Sequence, residues 1–277
     1  MSYSQFSCFD VETSDGVARV TLNHPPLNLI DEVMAPQFQA LAAQLENDQS
    51  VRVIILQSKL PNFFIAHSGL SRVTAGPRTV SQTRSFRQTQ IIGETFRNMG
   101  KVTIAKVEGR CRGGGNEIAM AADMCFAALG KAFFGQPEVG LGLVPGGGAT
   151  QRLPRLMGRA RALEVLLTGR DFSAADAERM GFINRALPPD ELDAFVDELA
   201  KEISQLPTQS ISHIKKSVDQ GAFSSISEGL LVEAHNSDEC AATDNTRDLV
   251  RRGLEEGLET VKGELDMPAI VARLNKN

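Results

Sequence analysis

The sequence predicts an α/β fold built on a mostly parallel sheet, followed by a helical C-terminal region. Two observations carry this. Through the first two thirds of its 277 residues, short β-branched runs alternate with segments of helical apolar spacing. Successive strand–helix–strand units need crossover connections, which leave neighbouring strands parallel. From about residue 160 onward the pattern is helical and strands become scarce. A soft boundary near residue 200 separates an α/β core, 1–199, from a helical part, 200–277.

The elements follow in order. VARVTL (17–22) alternates and is β-branched, as a half-buried strand does. Pro25 and Pro26 break the chain, and residues 31–46 then carry apolar side chains at helical spacing behind Asp31, a candidate N-cap. VRVIIL (51–56) is the near-continuous apolar run of a strand buried on both faces. Residues 58–83 read as a loop and 84–99 as a helix. VTIAKV (102–107) is another strand; it leads into a glycine run, the apolar helix NEIAMAA (116–122) and a short strand at 123–127. Farther on, RALEVLLTG stops at Gly169, a natural residue to end a helix, and FSAADAERMG runs from Ser173 as N-cap to Gly181. Residues 190–205, 208–219, 225–241 and 244–262 are amphipathic helix candidates.

Composition narrows the function classes. With 29 basic against 34 acidic side chains the net charge is −5, whereas general nucleic-acid or anionic-membrane binders need a concentrated basic stripe. The absence of tryptophan also argues against an aromatic platform for single strands. No apolar run approaches the roughly 20 residues that span a bilayer, and the polar N-terminus lacks the pattern of a secretory signal. Cys8, Cys111, Cys125 and Cys240, and His24, His67, His213 and His235, show no metal-ligand spacing. The expectation is a cytoplasmic protein with reduced, packed thiols, no metal, and no nucleic-acid or membrane partner.

Glycine placement carries the chemistry. Eleven of the 24 glycines fall between 109 and 148, and glycine lets main-chain atoms approach a ligand closely. The run Gly113–Gly115 follows a strand and opens a helix, so its free N–H groups suit an oxyanion or phosphate. Ile118 stands where a dinucleotide fingerprint needs glycine, and neither glycine cluster is followed by the Lys-Ser/Thr of a phosphate loop. An oxyanion hole fits better, because Glu117 lies one turn into an otherwise apolar helix and Glu138 lies in the turn Gln136-Pro137-Glu138. Two carboxylates near one oxyanion site suit proton transfer next to a carbonyl. Taken alone, Glu117 reads equally as a buried glutamate satisfied by backbone amides, and Glu138 as a solvated turn residue.

The segments IAKVEGRCRGGGNEIAMAADMCFAA, FGQPEVGLGLVPGGGATQRLPRLMGRARALEVLLTG and SAADAERMGFINRAL closely resemble the crotonase (enoyl-CoA hydratase/isomerase) superfamily. The similarity runs from VARVTLNHPPLN to about residue 190 and weakens in the C-terminal helices. It implies a spiral of repeated ββα units with C-terminal helices that assemble a trimer or a pair of trimers. It also implies a lyase of fatty acid metabolism that hydrates 2-enoyl-CoA thioesters. No separate cofactor is expected, because coenzyme A enters as part of the substrate. The resemblance makes the amides of Gly114 and Ser68 the two oxyanion donors, and makes Glu117 and Glu138 the residues that hold the attacking water. The CoA moiety would lie along the loop 64–72, with Ala66, Leu70, Lys59, Arg72 and Lys262 as its expected contacts.

The loop departs from the family pattern: His67 stands at the usual glycine and Gly69 at the usual aspartate. His67 reads as an added acid–base group, a determinant of substrate shape, or a packed or capping side chain. Ser68 is read as an amide donor and not a nucleophile, since Ala66 stands where GxSxG needs glycine. Lys59, Arg72, Arg78, Arg84 and Arg87 cluster around the loop, suggestive of a polyanionic ligand. Two alternatives stand beside hydration: a double-bond isomerase that needs one of the two acids, and a crotonase-fold protein that binds CoA thioesters without the family chemistry.

Overall fold

A computed structural model describes residues 1–76 and 85–276, the Arg72 side chain excepted. The chain divides into two compact units, Met1–Ala200 and Lys201–Asn277.

The first unit holds two sheets. The larger is six-stranded in the order β1 (Phe9–Ser14), β2 (Val17–Leu22), β3 (Val53–Ser58), β5 (Val102–Val107), β7 (Met124–Ala128) and β10 (Arg185–Leu187). Only the β1–β2 hairpin is antiparallel; the other pairs are parallel, as the alternating pattern predicts. Every residue of β5, the central VTIAKV strand, is buried. Its Lys106 is held by Glu108 (3.2 Å) and Asp193, the condition for keeping a cation inside a sheet.

The smaller sheet has the order β4 (Phe63–Ile65), β6 (Arg110–Arg112), β8 (Phe133–Gly135) and β9 (Phe172–Ser173). The first three are mutually parallel and β9 is antiparallel to β8. Successive repeats therefore place one strand in each sheet: β3 then β4, β5 then β6, β7 then β8. This is the mixed α/β architecture of repeated ββα units. The loop expected over 58–83 contains β4 and a helical turn at 71–74. Strands of three residues are too short to show a period of two.

Helices cover the sheets. Met34–Asn47 (α1) starts later than expected; Asp31 still caps it, its Oδ1 accepting from Val33 N (3.0 Å) and Met34 N (2.9 Å). Residues 71–74 (α2) are followed by Gln88–Asn98 (α3); residue 84, the expected start, lies outside the described residues. Gly114–Ala119 (α4), Ala149–Met157 (α5), Arg159–Thr168 (α6) and Ala174–Arg179 (α7) complete the unit. Gly169 takes the left-handed conformation after α6, and the Ser173 hydroxyl caps α7 at Asp176 N (3.1 Å). One core runs beneath these elements, from Phe9 and Phe38 through Leu56 and Phe64 to Phe134 and Phe182.

Leu192–Gln205 (α8) leads into the second unit, which is helical: Thr208–Gly221 (α9), Ile226–Ala241 (α10), Asp244–Glu255 (α11), Val261–Leu265 (α12) and Met267–Leu274 (α13). The single helix expected over 244–262 is two. Gly257 (φ 108°) and Glu259 (φ 67°) leave helical geometry between them, and Thr260 caps the next turn at Gly263 N (3.1 Å). Cys8, Cys111 and Cys125 are buried free thiols and Cys240 is half-buried. Among the described residues no helix is long and apolar enough to cross a membrane.

Candidate active site

The small sheet positions the site. Its three parallel strands end at Ile65, Arg112 and Gly135, and the segments that follow are 66–70, 113–114 and 136–138. Ligands of parallel sheets bind beyond the carboxyl ends of strands because loops from neighbouring strands converge there. Those loops line a cavity of ≈ 1110 Å³, to which His67, Ser68, Leu70, Gly114, Glu117 and Glu138 all contribute.

Two backbone donors face this space. Gly113 has φ 49° and donates to Gly135 O (3.0 Å), which turns the chain so that Gly114 opens α4. The first N–H groups of a helix have no intrahelical acceptor, and among the described residues the Gly114 and Ser68 amides make no hydrogen bond. The Ser68 loop is pinned on both sides, through Ile30 N to His67 O (3.1 Å) and Gly69 N to Ile30 O (2.9 Å). Glycine at 114 leaves room for the Ser68 side chain: a Cβ there would overlap Ser68 Oγ and lie 3.2 Å from Ser68 Cβ.

Glu117 is 3 % exposed. Its Oε1 accepts from Gly147 N (2.6 Å) in the glycine loop and from Ala149 N (3.1 Å), the first amide of α5. Burial raises its pKa above the usual carboxylate range, while the amides of Ala149, Gly147 and Gly148 and the positive charge of Arg152 oppose that rise. Arg152 stands on α5 and is paired to Glu94 of α3. A Cβ on Gly147 would overlap Glu117 Oε2, and one on Gly148 would lie 2.5 Å from Arg152 Nη1. The glycine loop is thus a thin partition between carboxylate and guanidinium.

Glu138 is the second residue of a short 3-10 helix, Pro137–Leu141. Its pKa is pushed up to about 7, first by burial and then by the charge of Glu117, against its own backbone N–H. With its amide turned to suit both neighbours, Gln136 donates from Nε2 to Glu138 Oε2 (2.9 Å) and Oε1 (3.1 Å) and accepts from Asn116 Nδ2 (3.3 Å). A Cβ on Gly113 would lie 2.9 Å from Glu138 Oε1 and 3.5 Å from His67 Cβ, so the carboxylate and the imidazole stem meet over one glycine. The His67 ring donates from Nδ1 to Ser68 O (2.8 Å). Two like charges that influence each other across a cavity favour holding one proton between them.

The remaining expected contacts divide. Leu70 lines the cavity. Ala66 is buried, and its N–H is taken by Leu27 O (3.1 Å). Lys59 does not line the cavity; its Nζ pairs with Asp10 Oδ2 at 3.2 Å on β1. The Arg72 side chain, Arg78 and Arg84 lie outside the described residues. Lys262 is an exposed residue of α12 in the second unit. Three residues the sequence reading passed over matter here: Gln136, Arg152 and Glu94. The first two lie inside the quoted GQPE and PGGGATQRL segments, which was the available signal; Glu94 had none. Among the described residues no cluster of His, Cys, Asp and Glu could hold a metal ion.

A family model described as enoyl-CoA hydratase/isomerase matches residues 12–265. The chain belongs to that family. A Mycobacterium tuberculosis relative, named a probable enoyl-CoA hydratase, is 35% identical over 230 residues, covering 80% of this chain and 85% of the relative. A short-chain-enoyl-CoA hydratase of Clostridium acetobutylicum is 32% identical over 251 residues, 89% of this chain and 94% of the other. A solved enoyl-CoA hydratase from Geobacillus kaustophilus superposes with a TM-score of 0.82 at 28% identity, covering 90% of this chain and 94% of that one. The α/β architecture with its paired sheets is that of the crotonase fold.

Proposed function

We propose that this family member is a hydro-lyase that adds water across the C2–C3 double bond of 2-enoyl-CoA thioesters to give 3-hydroxyacyl-CoA. The observation that carries the reading is the convergence, on one cavity, of two unpartnered amides (Ser68 and Gly114) with two glutamates of raised pKa (Glu117 and Glu138). The names of the relatives support it.

In this reading the thioester oxygen accepts from the Ser68 and Gly114 N–H groups. Such donors act where charge develops, and removing one typically costs about 3 kcal/mol of barrier. Glu117, acting as a carboxylate that accepts from the Gly147 and Ala149 amides, takes a proton from water as the water oxygen bonds to C3. The π electrons move to an enolate stabilised by the two amides. Glu138, close to half protonated at neutral pH, delivers its proton to C2. Glu117 ends protonated and Glu138 ionised, and proton exchange with solvent or between them restores the pair. Coenzyme A is carried by the substrate, so the cycle needs no separate cofactor or metal.

Assembly as a homotrimer or a pair of trimers belongs to the same reading. It is supported by the large apolar side chains that the second unit exposes, among them Ile214, Phe223, Ile226 and Leu231, since extended apolar surface marks interaction sites.

The test is Glu117→Gln assayed on crotonyl-CoA by loss of enoyl-thioester absorbance. Turnover is expected to fall by at least about 10³-fold, as for loss of a general base together with its charge, with binding of a saturated acyl-CoA retained. Full activity in the variant removes Glu117 from the mechanism. Double-bond migration without hydration in the wild type moves the assignment to isomerase.

A further inference from the structure

Arg87, the residue before α3, lines the cavity. Its guanidinium rests on the glycine loop: a Cβ on Gly146 would lie 2.9 Å from Nη1 and 3.3 Å from Cζ. The next residue, Gly147, holds Glu117 through its N–H (2.6 Å). The arginine is therefore on the wall beside the Glu117 cradle, in the cavity that the Ser68 loop also lines.

Two of the other charged groups on the wall, Arg112 and Asp31, are committed, and Glu32 and Arg170 also line it. Arg112, another cation of the wall, is forked onto Asp171 with Nε–Oδ1 at 2.7 Å. Asp31 is engaged by His24 Nε2 (2.9 Å) and by the start of α1. Among the described residues no Asp or Glu lies within ion-pair distance of Arg87, and residues 77–84 before it contain none. An exposed positive charge that lies against a glycine of the reaction loop at the cavity, without a carboxylate of its own, is placed to meet one from a ligand. Arginine's planar fork matches a carboxylate in two parallel hydrogen bonds.

Covalent geometry sets which part of a ligand reaches it. With the thioester oxygen on the Ser68 and Gly114 amides and C3 at Glu117, the CoA sulfur leaves from C1, on the opposite side from C3. An acyl chain that runs on from C3 past Glu117 would reach Gly146 and Arg87, which neighbour Gly147 on the same wall. Resting on the hydratase reading above, we infer that Arg87 selects 2-enoyl-CoA substrates whose acyl chain ends in a carboxylate.

The experiment compares 2-hexenedioyl-CoA with 2-hexenoyl-CoA, which share length and CoA and differ in the terminal group. Both are assayed with the wild type and with Arg87→Met, which keeps an apolar stem and removes the charge. The ratio of kcat/KM for the dicarboxylic over the neutral substrate is expected to fall at least about tenfold in the variant, the size of one charge-assisted contact, with Arg87→Lys retaining part of it. Calorimetric binding of the saturated adipyl-CoA and hexanoyl-CoA reads the same ratio without turnover. A ratio unchanged by the substitution in both measurements overturns the inference, including the outcome in which both substrates lose equally because the arginine serves the CoA. Failure of wild type to hydrate either substrate, with an affinity ratio that still collapses in Arg87→Met, removes the hydratase reading and keeps the carboxylate site.

Discussion

Glu138→Gln is expected to make the fold more stable above neutral pH while abolishing turnover. Burial and the charge of Glu117 raise the carboxyl from 4.5 to about 7. Below pH 4.5 the group is neutral in both folded and unfolded chains and has no effect on the balance. Between 4.5 and 7 the unfolded chain ionises first, which favours unfolding, and above 7 the full difference is present. The gap corresponds to about 3.4 kcal/mol if none of it is screened. The side chain is only half-buried, so solvent screening reduces this to about 1–2 kcal/mol. Glutamine removes the charge and can still accept from Gln136, and any loss at that contact is a constant offset. Urea unfolding of wild type and variant, at one protein concentration from pH 4.5 to 8.5, isolates the pH-dependent part. The variant should gain about 1–2 kcal/mol on the wild type across that range, most of it between pH 5 and 7.5. A difference that stays flat with pH, or that shrinks as pH rises, refutes a carboxyl held near 7 by its surroundings.

Two further outcomes follow from the partition between Glu117 and Arg152. Gly147→Ala places a methyl against Glu117 Oε2 and 2.8 Å from its carboxyl carbon; kcat should drop about 10²- to 10³-fold through displacement of a group that must be positioned closely, with the circular dichroism spectrum unchanged. Arg152→Gln removes the charge that opposes the rise in the Glu117 pKa. If Glu117 acts as carboxylate, the acidic limb of kcat/KM should move to higher pH, and a pH–rate profile whose limb stays in place counts against that role.

The large sheet was legible because its strands are long and β-branched: VARVTL and VTIAKV match β2 and β5 residue for residue. The small sheet was not, since FFI, RCR and FFG are three-residue strands whose partners are supplied only by the fold. Glu117 stood out as a charge inside an apolar helix, a placement that costs free energy unless the group is paired or used. Gln136 and Arg152 carried no such mark; a glutamine in a turn and an arginine on an amphipathic helix are ordinary until the chain brings Glu138 and the glycine loop to them. Lys59 gave no sign of its ion pair for the converse reason. Its neighbours in sequence belong to the substrate loop, but its ion-pair partner Asp10 is 49 residues away.

The shortness of the small-sheet strands bears on how the chemistry is set. In β6–β8 the paired residues are Arg110 with Phe133, Cys111 with Phe134 and Arg112 with Gly135, and Gly113 N to Gly135 O (3.0 Å) adds one more rung. Gly114 is the next residue on one strand, and Glu138 the third after Gly135 on the other. The Gly114 amide, the proposed oxyanion donor, and Glu138, the proposed proton donor, are thus located relative to each other by three residue pairs and one hydrogen bond. A slip of one residue in either strand would move that strand's side chains to the opposite face, taking Cys111 or Phe134 out of the core. Core burial therefore holds the register, and the register holds the distance between donor and acid. The six-stranded sheet contributes no cavity-lining residue. Its part is to bury the long apolar strands that make the unit fold, which leaves the small sheet free to be little more than three loops tied at a fixed spacing.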